Sequence, residues 1–88
     1  MHRLRIRPST RWLPTPKGGN LLDMGSGTCY EINKVGGLIV SAISEGKSIQ
    51  DIANELQNAF GVGKERVDVD TDRFIDQLLA KGLIETRI

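Results

Sequence analysis

Three aspartates at alternate positions, Asp68, Asp70 and Asp72, together with one cysteine, one histidine and two glycine-bearing turns, are the residues whose types and spacing could do chemistry. The aspartates have the opening spacing of a calcium loop, in which carboxylates converge on one hard cation. That loop also needs a glycine where this chain has Arg73 and a bidentate glutamate where it has Leu79. On a helix, successive members of the series would point about 200° apart and could not converge. Gly25-Ser26-Gly27 opens a dinucleotide pattern, yet Tyr30 takes the place of the third glycine and no crossover unit follows. Gly63-Lys64 resembles the end of a phosphate loop, but Glu65 replaces the hydroxyl residue and Asn58 the first glycine. His2 has no nucleophile or carboxylate spaced to pair with it, so no catalytic triad can be assembled. Cys29 has no helix N-terminus or second histidine to activate it and fits better as a small strand residue. With no partner cysteine it forms no internal disulfide, and it cannot anchor a metal alone. A chain this short would also struggle to enclose paired carboxylates in a substrate cleft. The expectation is a protein without enzyme activity, cofactor or metal.

The elements that position these residues must come from 88 residues, read as one domain over positions 1–88. A domain of that size buries only about 60% of the surface its unfolded chain exposes, so its core must be thin. Hydrophobic content of 39% with four aromatics, Trp12, Tyr30, Phe60 and Phe74, still fits a globular chain. No apolar run approaches the ~18 residues of a membrane span. Arg3, Arg5 and Arg7 are not followed by the apolar stretch of a secretory signal. A cytoplasmic protein with no membrane partner is expected.

Period-two alternation of Leu4, Ile6 and Pro8 with Arg3, Arg5 and Arg7 predicts a half-buried strand, with Pro8 keeping it near an edge. Pro14, Pro16, Gly18 and Gly19 predict a loop over residues 14–20. Asn20–Met24 and residues 28–32 then read as the two strands of a hairpin about Gly25-Ser26-Gly27. Three helices follow, at about 34–45, 48–60 and 64–81. Asn33 is an N-cap for the first, whose apolar stripe is Val35, Leu38, Ile39, Ala42 and Ile43. Gly36 and Gly37 weaken its first turns and point to close packing of another element. Ser48 with Asp51 resembles a capping box, and Ile49, Ile52, Ala53, Leu56 and Phe60 form the second stripe. In the third helix Val67, Thr71, Phe74, Ile75, Leu78 and Leu79 share one face, and Gly82 stops it before Leu83-Ile84 tucks back.

Three helices with a small sheet also describe a winged helix, which raises DNA binding. The charges oppose it. The net charge is +1, and five of the twelve basic residues, Arg3, Arg5, Arg7, Arg11 and Lys17, lie in an acid-free segment at the start. The last helix, where a recognition helix would offer Arg, Lys, Asn or Gln, carries Asp68, Asp70, Asp72 and Asp76. No nucleic-acid partner is expected.

From Leu21 to Ile84 the sequence resembles the PqqD-like proteins, RiPP recognition elements that bind the leader segment of a ribosomally made precursor peptide. The resemblance rests on Leu22-Asp23 and Tyr30-Glu31-Ile32-Asn33, on Gly37 and Ile39, and on Glu45-Gly46-Lys47-Ser48-Ile49. It continues through Ile52-Ala53, Leu56, Asp70, Phe74-Ile75, Leu78 and Gly82-Leu83-Ile84. The stretch Tyr30 to Gly36 looks most like the free-standing leader-binding proteins of lasso-peptide clusters. Gly37 and Glu45-Gly46 depart from the pyrroloquinoline quinone members, which leaves a peptide chaperone for a radical SAM enzyme as the alternative. The resemblance implies an α+β, winged-helix-like fold: an N-terminal three-stranded antiparallel sheet followed by three helices. It implies a leader peptide added as a strand to the edge formed by Thr28, Cys29, Tyr30, Glu31 and Ile32. Phe74 and Leu78 would floor the adjoining groove, and Asp70, Arg73, Gln77 and Lys81 would fix the register at its rim. Its partners would be the precursor leader peptide, a separate cysteine leader peptidase and a cyclase. The open strand edge permits a monomer or a weak dimer.

Overall fold

The computed structural model describes residues 3–61 and 63–87, and of residues 64–69 and 87 the backbone alone. His2 and the side chains of Val67 and Asp68, read above, therefore lie outside the described residues. In chain order the elements are β1 (Arg3–Ile6), β2 (Thr10–Thr15), β3 (Gly18–Asp23), β4 (Thr28–Ile32), α1 (Lys34–Ser44), α2 (Ile49–Phe60), α3 (Lys64–Ala80) and β5 (Ile84–Arg87). The fold is α+β, with a three-stranded antiparallel sheet ordered β2-β3-β4 and three helices after it.

The membership of that sheet differs from the expectation. β1 pairs not with the hairpin but with β5, in register Leu4↔Thr86 and Ile6↔Ile84. The segment predicted as a loop, residues 14–20, forms the end of β2, a two-residue turn and the start of β3, with Pro14 opposite Gly19. Prolines and glycines signal turns because of what they do to an isolated backbone. Here Pro14 lies on an outer strand, where a missing N–H can face away from the ladder. Gly18 and Gly19 have φ of 135° and 149° and serve contact: a Cβ on Gly19 would sit 2.5 Å from the Trp12 ring. Only glycine leaves room for the indole, whose Nε1 donates to Ser41 Oγ of α1 at 3.1 Å.

Helix starts follow the sequence. The Asn33 side chain accepts from Gly36 N at 2.8 Å, and Ser48 Oγ accepts from Asp51 N at 3.2 Å, each satisfying one free helical N–H. Gly61 ends α2 in the left-handed conformation. The buried face of α1, however, is turned from the predicted stripe. Val35 and Leu38 are each 44% exposed, whereas Gly36, Gly37, Ile39, Val40, Ala42 and Ile43 are buried. A Cβ on Gly37 would lie 2.9 Å from both Cα and O of Gly18, so the glycine face is where the sheet lies closest. The core then joins Leu21 and Ile32 of the sheet to α1, to Ile52 and Leu56 of α2, and to Ile75 and Leu78 of α3. Leu4, Leu83 and Ile84 close it below. The tuck predicted after Gly82 thus extends into a full strand.

Candidate functional site

Each outer strand of the sheet presents backbone groups along one side, and the two sides differ. β2 carries Arg11 and Pro14, the residue types that blunt an edge against further pairing. β4, Thr-Cys-Tyr-Glu-Ile, pairs among the described residues with β3 alone and has neither proline nor a basic residue. Its edge is open to another strand.

Alternation places Tyr30 and Ile32 on the inner face of β4, in the row of the fully buried Leu21, and Cys29 and Glu31 on the outer face. Beyond the end of β4 lies a groove of about 610 Å³. Glu31, Ile32, Asn33, Val35, Gly36 and Ile39 form one wall, Leu56 and Phe60 of α2 close the end, and Asp70, Thr71, Phe74 and Gln77 of α3 form the other wall. Gly36 is needed to shape it, because a Cβ there would lie 2.9 Å from Ile32 Cγ2 and 3.0 Å from Phe74 Cζ. The half-buried Phe74 ring can therefore reach under the first turn of α1. Outside this lining, Lys81 Nζ stands 5.7 Å from the centroid of the Tyr30 ring. This cation–π contact bridges β4 and the end of α3.

Of the residues expected to bind, Thr28, Cys29 and Glu31 are exposed along β4, Tyr30 is half-buried and Ile32 is buried at the mouth of the groove. Glu31, Ile32, Asp70, Phe74 and Gln77 line the groove, and Lys81 flanks Tyr30. Arg73 lies instead with Asp72, Asp76 and Ala80 along a shallower depression on α3, which Gln77 also borders. Leu78 is only 3% exposed and belongs to the core against which Phe74 packs, and it does not line the groove. Val35 and Phe60 are among the groove residues that the sequence hid, with Asn33, Gly36, Ile39, Leu56 and Thr71. Val35 and Phe60 have helical spacing that reads as core, yet Phe60 is 39% exposed. Thr71 is 2% exposed, and its hydroxyl has no hydrogen-bond partner among the described residues.

The arrangement offers backbone pairing beside an apolar hollow with a polar rim. Among the described residues no group of three histidine, cysteine or acidic side chains is placed to hold a metal ion. No helix among them is long and apolar enough to cross a membrane. Among the described residues the one marked shift in proton affinity lies elsewhere, at the α1–α2 junction. There Lys47 is held above its ordinary pKa by hydrogen bonds to Glu55 and then to Glu45.

The family model described as coenzyme PQQ synthesis protein D (PqqD) matches residues 19–84, which spans β3 to the start of β5. The chain belongs to the PqqD family. None of the curated proteins matches it in sequence. This PqqD-family chain is similar to a solved lasso peptide synthetase B1 complexed with the leader peptide, at 28% identity and TM-score 0.85, covering 94% of this chain and 98% of that one. It is also similar to TbiB1 in complex with the TbiA(beta) leader peptide, at 26% identity and TM-score 0.87, covering 92% and 94%.

Proposed function

We propose that this chain binds, without catalysis, the leader region of a ribosomally made precursor peptide in lasso-peptide biosynthesis. The observation that carries the reading is the open β4 edge beside an apolar groove, in a fold shared with two proteins complexed with leader peptides. The leader adds as a strand along Thr28–Ile32, exchanging backbone hydrogen bonds that are largely blind to sequence. An apolar leader side chain enters the hollow between Ile32, Phe60 and Phe74, while Asp70, Gln77 and Lys81 meet the polar groups beside it. Arg73 contacts leader residues that pass over the outer side of α3. The 88-residue chain acts as one binding unit that delivers the precursor to a separate cysteine leader peptidase and a cyclase in the cytoplasm.

Titration of the labelled protein with its precursor's leader should shift the amide signals of residues 28–32. Binding that leaves those signals in place would overturn strand addition. The family description favours a second reading, a peptide chaperone in coenzyme PQQ synthesis, which predicts preference for a precursor of that pathway. DNA binding is disfavoured by the exposed Asp70, Asp72 and Asp76 of α3.

A further inference from the structure

Tyr30 and Ile32 are two residues apart on one face of β4, and each lies beside a different chemical environment on α3. Ile32 borders the apolar hollow with Phe74 and Gly36. Tyr30 lies beneath the Lys81 ammonium, 5.7 Å away. Lys81 is exposed at the C-cap of α3 and takes part in no salt bridge among the described residues. A lysine held over an aromatic ring of an outer strand, and joined to no carboxylate among the described residues, has its charge available to a ligand.

We propose that Lys81 is a specificity residue that reads an acidic side chain of the bound peptide, placed two residues after the apolar side chain that fills the hollow. The inference rests on the leader-binding reading and adds to it the charge and spacing of the sequence recognised. A strand added to β4 sets its same-face side chains directly opposite Tyr30 and Ile32, at a Cβ separation of about 4.5–5.5 Å. A carboxylate opposite Tyr30 is then within reach of a lysine already held over the ring, so less side-chain freedom is lost when the pair forms. A basic residue there meets like charge. Antiparallel addition continues the pattern of β2, β3 and β4, and it runs the peptide from the hollow toward Thr28. The order is therefore apolar, any residue, acidic.

Panning a random peptide display library against the wild type and against Lys81→Glu tests this. The wild type should enrich an acidic residue two positions after an apolar one, and Lys81→Glu should enrich a basic residue in that place. For a wild-type-selected peptide, Lys81→Gln should weaken binding about tenfold and Lys81→Arg should largely retain it. The loss should shrink as salt is raised. Selected peptides that shift the amides of residues 28–32 but are indifferent to Lys81→Gln and Lys81→Glu would overturn the Lys81 assignment alone. Peptides that bind without moving those amides would overturn strand addition and the assignment with it.

Discussion

Phe60, Phe74 and Leu78 share the helical spacing that marks a core, yet they serve three different purposes. Leu78 is 3% exposed and packed on all sides, Phe74 is half-buried between core and groove, and Phe60 is 39% exposed at the end of the hollow. The physical consequence is a separation of stability from binding. Leu78→Ala removes buried methyl groups and leaves a cavity, and should cost about 2–5 kcal/mol in chemical denaturation. Phe60→Ala should move the denaturation midpoint far less while weakening peptide binding several-fold in a fluorescence titration. Equal loss of stability by both variants would show that Phe60 belongs to the core after all. Gly36 and Gly37 divide in the same way: one shapes the groove, and the other lets α1 approach β3. Nothing in the sequence separates them, because what distinguishes the two is the neighbour each would strike.

Secondary-structure elements carry the next level of control. The hairpin β3–β4 and the helix starts at Asn33 and Ser48 were legible in sequence because turns and caps are local chemistry, settled within a few residues. β2 and β5 were not legible, since each is stabilised by a partner rather than by its own residues. Thr10–Thr15 contains a proline and exists as a strand through pairing with β3, while Ile84–Arg87 is paired with a segment at the far end of the chain. The junction of α1 and α2 is held by Lys47 bridging Glu45 and Glu55. Its folded-state pKa is raised, so the bridge stabilises the protein below the unfolded-state value and is lost as pH rises through the folded one. Lys47→Met should therefore have a lower urea midpoint than the wild type at neutral pH, and the difference should vanish in strong alkali. Because the ammonium is exposed, the effect should be small and should diminish with salt.

For the molecule as a whole, closure depends on the two ends meeting. Arg5 pairs with Glu85 across β1 and β5, Arg7 N donates to Leu83 O at 3.1 Å, and Leu4 and Ile84 are 3% and 2% exposed beneath them. Ending the chain at Leu83 would strip β1 of its partner and uncover Leu4. Burial of one such aliphatic side chain contributes about 1.5–3 kcal/mol, a large share of a stability near 5–15 kcal/mol. The truncated chain should lose amide dispersion in a proton–nitrogen correlation spectrum, and retention of the native spectrum would show the β1–β5 pair to be dispensable. The same interlocking explains why the candidate site was only half visible in sequence. Thr28–Ile32 and the stripe Asp70, Phe74, Gln77 and Lys81 follow from periods of two and 3.6, which are properties of the chain alone. That β4 is left open while β2 is blunted, that α1 turns Val35 and Leu38 outward, and that Lys81 comes to rest over Tyr30 are decided in three dimensions. Sequence by itself determined the β3–β4 hairpin, the three helices and the caps at Asn33 and Ser48, because these are settled within a few residues. Tertiary structure decided which edge is free and which apolar residues face the groove, because both depend on what packs against an element from a distant part of the chain.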